Sequence, residues 1–240
     1  MSKYPTKETY NELQQAYDFF NKTLFELKLP PCLITLQRQK STYGYFSGKR
    51  FVNSDGKKTD EIAMNPSFFA IRSIPETLST LAHEQCHLWQ EHYGKPGRGR
   101  YHNLEWAEKM ESLGLMPSST GQEGGKRTGD HMSHYIISGG AFDLACNELL
   151  TQEFTLSWLD RFPPYQPDSI KPFSSRVDSE DGELVDDLVE LGIEFPSKPK
   201  NKSNRAKYSC PDCSAKVWGK SGLMISCGMC QIHFEEEVNL

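Results

Sequence analysis

No apolar run in the sequence approaches the roughly 18 residues of a membrane span. Its first residues, Met1-Ser2-Lys3-Tyr4-Pro5-Thr6-Lys7, also lack the apolar stretch of a signal peptide. The expectation is therefore a protein with no membrane partner, cytoplasmic, or associated with the nucleoid if it binds DNA. A surplus of positive charge is missing too. The 240 residues carry a net charge of −5, which argues against a wholly basic nucleic-acid coat protein but leaves room for a local basic face. Nor is there a disulfide framework. Four of the seven cysteines form two Cys-x-x-Cys pairs near the C-terminus, which in a chain without an export signal reads as metal binding. Cys32, Cys86 and Cys146 sit in apolar settings and read as small buried thiols. A P-loop is absent as well. In Gly121-Gln122-Glu123-Gly124-Gly125-Lys126-Arg127 the required Ser or Thr after Gly-Lys is replaced by Arg127, and no strand precedes it.

What is present is centred on Leu78-Ser79-Thr80-Leu81-Ala82-His83-Glu84-Gln85-Cys86-His87-Leu88-Trp89. Residues four apart on a helix share one face, so His83 and His87 can point two imidazoles at one metal ion with Glu84 beside them. Zinc hydrolases use this arrangement: two neutral imidazoles hold Zn²⁺ and the carboxylate takes a proton from water. A pattern with three fixed positions also arises by chance, so its setting matters. Ser73-Ile74-Pro75-Glu76 is a capping box with proline in the first turn, which predicts a helix start. Leu78, Leu81, Ala82, Cys86 and Trp89 then give that helix a core-facing side distinct from its histidine side.

Elsewhere the pattern is α+β. Thr9-Tyr10-Asn11-Glu12 reads as a capping box opening a helix over 9–27, with Leu13, Ala16, Tyr17, Phe20 and Leu24 as its apolar stripe. Strands are expected at 32–36, 44–53 and 61–64, with Ser54-Asp55-Gly56 turning between the last two. Asn103 is a candidate cap for a further helix with Leu104, Ala107, Met110 and Leu113 inward, and His102 would stand just before it. Residues 117–134 read as a loop. Phe142, Ala145, Cys146 and Leu149 define another amphipathic helix, extending toward Trp158. These features divide the chain into a domain over 1–160, a linker over 161–207 and a small module over 208–240. The linker is acidic first, with seven carboxylates in 178–190, then basic through Lys198, Lys200, Lys202, Arg205 and Lys207. Solvated charge is the default explanation of both runs.

In the last module, Cys210-Pro211-Asp212-Cys213 and Cys227-Gly228-Met229-Cys230 flank Val217, Trp218, Leu223, Met224 and Ile225, which are strand formers. Two such knuckles close a four-thiolate structural zinc site, a zinc ribbon. The basic run with Lys216, Lys220 and an exposed Trp218 is a candidate DNA-binding face. A ribbon that only docks on protein is the competing reading.

A catalytic zinc needs a third ligand. The metzincin pattern would place glycine and histidine where Gln90 and Tyr93 stand, so it is excluded. His92 is too close along the same helix. Glu105, Glu108 and Glu111 are carboxylate options. His102, beyond the glycine-rich basic loop 93–100, is the first choice. His83-Glu84-x-x-His87 followed by that loop and His102-x-x-x-Trp106 resembles the SprT/Spartan-like zinc metallopeptidases. The likeness extends to Leu29-Pro30, Gly44-Tyr45-Phe46 and Glu61-Ile62-Ala63-Met64-Asn65-Pro66, over roughly 10–115, and members of this group also carry a C-terminal zinc ribbon. The resemblance implies a zincin-like metallopeptidase domain of helices and a small mixed sheet. It implies His83, His87 and His102 as ligands of a catalytic zinc and Glu84 as general base. It also implies a cleft-side edge strand, expected at 61–64, that pairs with a protein substrate. Relatives of Spartan degrade proteins crosslinked to DNA, which makes DNA-bound protein the implied substrate. Tyr135, His131 and His134 are candidates for an oxyanion donor. The alternative function is a nucleic-acid-binding ribbon or scaffold with a silent first domain. Oligomeric state is not legible.

Overall fold

The computed structural model describes residues 4–164, 188–196 and 205–237. The chain divides into two compact units, Met1–Pro196 and Ser197–Leu240. The acidic run expected at 178–190 and the basic run at 198–207 lie largely outside the described residues.

In the first unit, helix α1 (Pro5–Leu24) starts a turn earlier than the Thr9 capping box suggests. Pro5 occupies the first helical turn, where its fixed φ suits the helix and its missing N–H is not needed. Thr9 therefore lies inside the helix, its hydroxyl donating to the Pro5 carbonyl at 3.0 Å. The helix ends before 27 because Glu26 and Leu27 adopt left-handed φ of 56° and 58°. The Leu27 N–H returns to the Asn21 carbonyl at 2.8 Å, satisfying an orphan acceptor of the last turn. The Asn21 side chain then bonds both the N–H and the carbonyl of Leu29, fixing the turn into the sheet.

Strands β1 (Leu33–Leu36), β2 (Gly44–Val52) and β3 (Lys58–Met64) form one sheet in the order β1-β3-β2, with β1 parallel and β2 antiparallel to β3. This corrects the edge-strand expectation: 61–64 belongs to the central strand. Its Asp60 to Met64 are all buried, as suits a strand flanked on both sides, and the edges are β1 and β2, of which β2 lies beside the cleft. A bulge between Ser47 and Phe51 bends β2, with Lys49 at φ 52°. Asp60 fixes it, accepting from the Lys49 N–H at 2.6 Å while its other oxygen meets His92 Nε2 at 2.7 Å.

Helix α2 (Ile74–Tyr93) opens on the expected capping box, with Ser73 accepting from the Glu76 N–H and the Glu76 carboxylate from the Ser73 N–H. It packs against α1, β2, β3 and the two later helices, α3 (Leu104–Ser112) and α4 (Ala141–Thr151). Leu78, Leu81, Ala82, Cys86 and Leu88 are fully enclosed with Leu13, Phe20, Trp106, Met110 and Phe142. Each large apolar side chain so buried contributes roughly 1.5–3 kcal/mol. Leu104, expected inward, is 53% exposed; it is the first helical residue, and Trp106 takes the inward place. Residues 117–134 are not one loop either: β4 (Leu115–Ser118) and β5 (Ser133–Ile136) pair antiparallel. α4 stops at Thr151 rather than reaching Trp158, since Glu153 has a left-handed φ of 58°. Part of the expected linker is packed: Leu188 and Ile193 join Phe68, Ala70 and Ile71 in a second small core.

In the second unit, β6 (Arg205–Ser209) lies between β7 (Lys216–Lys220) and β8 (Glu235–Glu237), all antiparallel, with Tyr208 buried at the centre. Strand structure covers Val217 and Trp218 but not 223–225.

The sheet can approach α2 only because residue 44 has no side chain. A Cβ there would stand 2.9 Å from the Ala63 carbonyl oxygen and 3.0 Å from Thr80 Cγ2. Gly44→Ala should therefore destabilise the protein by about 1–3 kcal/mol, as overpacked sites do. A denaturant melt with an unchanged midpoint would show that β2 moves away freely.

Candidate metal centre

The polar side of α2 carries His83, Glu84 and His87 beneath β2. The third imidazole arrives on a tethered loop. Gln90 Nε2 donates to Asn103 Oδ1 and to Glu105 Oε2, each at 2.8 Å, joining α2 to the start of α3. Glu105 also accepts from the Lys95 N–H, and Asn103 Nδ2 donates to the Lys95 carbonyl, closing the base of the loop. His102 is held from the other side by a backbone bridge to Gly129, with bonds of 2.9 and 3.1 Å.

The donor atoms of His83, His87 and His102 all lie within 4.8 Å of one another. Trp106 forms the floor: its ring stacks on His87 at 5.2 Å and 18°, and meets His83 and His102 edge-on at 4.9 and 4.4 Å. His102 Nδ1 is 3.1 Å from the Gly129 carbonyl oxygen. A carbonyl only accepts, so Nδ1 carries the proton and Nε2 keeps its lone pair. Burial drives the His83 pKa well below the ordinary imidazole value and brings His87 down to about 3, with the neighbouring imidazoles adding to the effect. His102 is lowered for the same first reason. Neutral, convergent imidazoles are what a cation such as zinc requires. Burial also raises the Glu84 carboxyl to about 8, opposed by the Phe46 backbone N–H.

The other options are occupied elsewhere. Glu105 bonds Gln90 and Lys95, Glu111 pairs with Arg127, Glu108 is exposed, and His92 is held by Asp60. Of the oxyanion candidates, His131 lines the cleft above the histidines, whereas Tyr135 does not. His134 lines it too, but its nitrogens are engaged: Nδ1 is 3.1 Å from His83 Nδ1, and Nε2 is 2.8 Å from Ser79 Oγ. The cleft measures about 1060 Å³ and its wall includes Gly44 to Gly48 of β2. Trp106 as floor and the His134–Ser79 contact were missed as site features. Ser79 lies one turn before His83 on the same helix, which is a local signal. The approach of β5, which brings His134, has none.

The second cluster is Cys210, Cys213, Cys227 and Cys230, also within 4.8 Å of one another. Cys213 Sγ and Cys227 Sγ are 3.7 Å apart, close to the roughly 3.8 Å expected across a tetrahedral zinc with bonds of about 2.3 Å. The knuckles repeat one backbone pattern: Ser214 N–H to Cys210 carbonyl at 2.9 Å, Gln231 N–H to Cys227 carbonyl at 2.7 Å, with φ of 58° and 57° at Ser214 and Gln231. The Met229 and Cys230 backbone N–H groups, Cys230 foremost, draw the Cys227 thiol down to about 7.

Three imidazoles beside a buried carboxylate, under an edge strand in an open cleft, define the class: a candidate mononuclear metal centre with an acid–base group at hand. A family model described as the SprT-like family matches residues 13–124, which include all four of these residues, and this part of the chain belongs to the SprT-like family. That family is associated with metallopeptidase-like activity. The chain is also 68% identical over 59 residues to an uncharacterised protein of the mucB 3′ region from Salmonella typhimurium, covering 24% of this chain and 80% of that one. No solved structure matches the chain.

The Glu84 carboxyl holds its proton more tightly in the folded state than the ordinary 4.5 of an unfolded chain. Its stabilising contribution is thus full below pH 4.5 and is lost as pH rises through about 8. In metal-depleted protein, Glu84→Gln should gain stability over wild type between pH 5 and pH 9, by on the order of a few kcal/mol. A difference in unfolding free energy that stays flat with pH would contradict it.

Proposed function

We propose that the first unit is a zincin-like zinc endopeptidase in which His83, His87 and His102 hold the catalytic zinc and Glu84 is the general base. The observation that carries this reading is the convergence of three neutral imidazoles on one point, with a buried carboxylate next to them. When bound, zinc supplies Lewis acidity, lowering the pKa of water toward about 7 and polarising a carbonyl. Glu84 accepts the proton of the attacking water on its carboxylate and returns it to the leaving amine. A cation beside Glu84 favours its ionised form, offsetting the effect of burial. A substrate strand adds to the free edge of β2, whose backbone groups supply register and orientation.

The second unit is proposed to be a structural zinc ribbon that binds DNA, giving the enzyme access to DNA-bound or DNA-crosslinked proteins. Lys216, Trp218 and Lys220 are exposed at alternate positions of β7, so two cations flank an indole on one face. That combination suits a phosphate backbone and a stacked base. It also keeps the second reading alive: a DNA-binding protein or scaffold with a silent first unit. A cytoplasmic or nucleoid-associated location fits this proposal; among the described residues, no helix is long and apolar enough to cross a membrane.

Wild type should carry about two zinc ions per chain, and His102→Ala about one. Glu84→Gln should keep both while cleavage of an unfolded protein or a protein–DNA crosslink falls at least about a hundredfold. Full cleavage by Glu84→Gln would refute the mechanism. Salt-sensitive DNA binding with no proteolysis, with or without DNA, would favour the second reading.

A further inference from the structure

We propose that His134 and Ser79 form a hydrogen-bond relay that dictates which nitrogen of His83 is offered to the metal, making His134 a positioning residue rather than an oxyanion donor. The proposal rests on His83, His87 and His102 being the metal site. Its logic is the direction of each proton. The Glu76 carbonyl can only accept, and Ser79 Oγ lies 2.8 Å from it, so the single Ser79 O–H points there. Ser79 Oγ must then accept from His134 Nε2, 2.8 Å away. A neutral imidazole that donates through Nε2 accepts through Nδ1. His134 Nδ1 is 3.1 Å from His83 Nδ1, so the proton between them belongs to His83. His83 Nε2 is left with its lone pair.

The opposite order fails at both ends. It would set two oxygen lone pairs of Ser79 and Glu76 against each other at 2.8 Å with no proton between them. It would also place a hydrogen on His83 Nε2 and abolish the ligand. Arg72 reinforces the observed order. Its Nη2 donates to the same Glu76 carbonyl at 2.6 Å and its Nη1 to Thr80 Oγ1 at 2.9 Å, fixing in place the carbonyl that accepts from Ser79. His102 gains the same tautomer from the Gly129 carbonyl, whereas His83, inside a helix with its carbonyls already in use, takes it from a residue on β5.

The test uses the full-length, zinc-loaded protein with ¹⁵N-labelled histidine. Long-range ¹H–¹⁵N correlations should report His134 protonated on Nε2 and His83 on Nδ1; His134 protonated on Nδ1 would overturn the relay. Zinc affinity of the histidine centre, taken as the zinc lost in His102→Ala, is read by chelator competition. His134→Phe, which fills the space without an acceptor, should weaken it roughly 10–100-fold. His134→Asn, whose amide oxygen can accept from His83, should recover most of that loss. Equal affinity in His134→Phe and wild type would also overturn the proposal. Should His134→Phe not fold, Ser79→Ala, which removes one small hydroxyl, decides the point: a several-fold weakening supports the relay and an unchanged affinity refutes it. A wild type that takes up no zinc at the histidines would instead sink the metal-centre reading itself.

Discussion

Keeping three imidazoles uncharged and aimed at one point, next to a carboxyl that resists ionisation, is the constraint to which most of the first unit answers. Charge is expensive in an enclosed site. The helix that carries His83, Glu84 and His87 is consequently wrapped on nearly every side: by α1 and α4 behind, by β2 above and by Trp106 below. Hydrogen bonds around the site both satisfy and orient polar atoms that such wrapping buries, although Trp106 Nε1 and Gln85 Oε1 are enclosed without a partner. Gln90 illustrates this, since one side-chain amide bonds the cap of α3 and the loop-closing Glu105 together. Stability and the placement of the imidazoles are thus supplied by the same contacts.

The parts of the fold that were legible in the sequence are those set locally. The Ser73 capping box, the face of α2 and the cap at Asn103 depend on residues three or four apart, and each is found where its pattern lies. Local rules failed where two of them competed or where distance mattered. Thr9 has every feature of a cap, but Pro5 opens the helix first. The strand at 61–64 looked like an edge because sequence shows its composition and not its neighbours; pairing with β1 on one side and β2 on the other makes it central. The β4–β5 hairpin hid in a glycine-rich stretch whose pairing across 119–132 has no short-range signature.

The site divides the same way. His83, Glu84 and His87 share one helix turn and could be read together. His102 could be reached by elimination and kinship, with Glu105 and Glu111 discarded only once their partners were visible. His134 could not, because its meaning comes from an atom 51 positions earlier in the chain. In the second unit the cysteine spacing carried almost everything, since two short knuckles of equal backbone geometry leave little for the intervening residues to decide.

Trp106 has a consequence beyond packing. It is fully enclosed and touches all three imidazoles, whereas Trp158 and Trp218 are exposed to water and Trp89 only partly covered. Its indole therefore emits from a drier setting than the others and lies against the very rings whose electrons an ion would withdraw. Were the centre to take up an ion, the blue edge of the intrinsic fluorescence would register it, requiring neither label nor substrate.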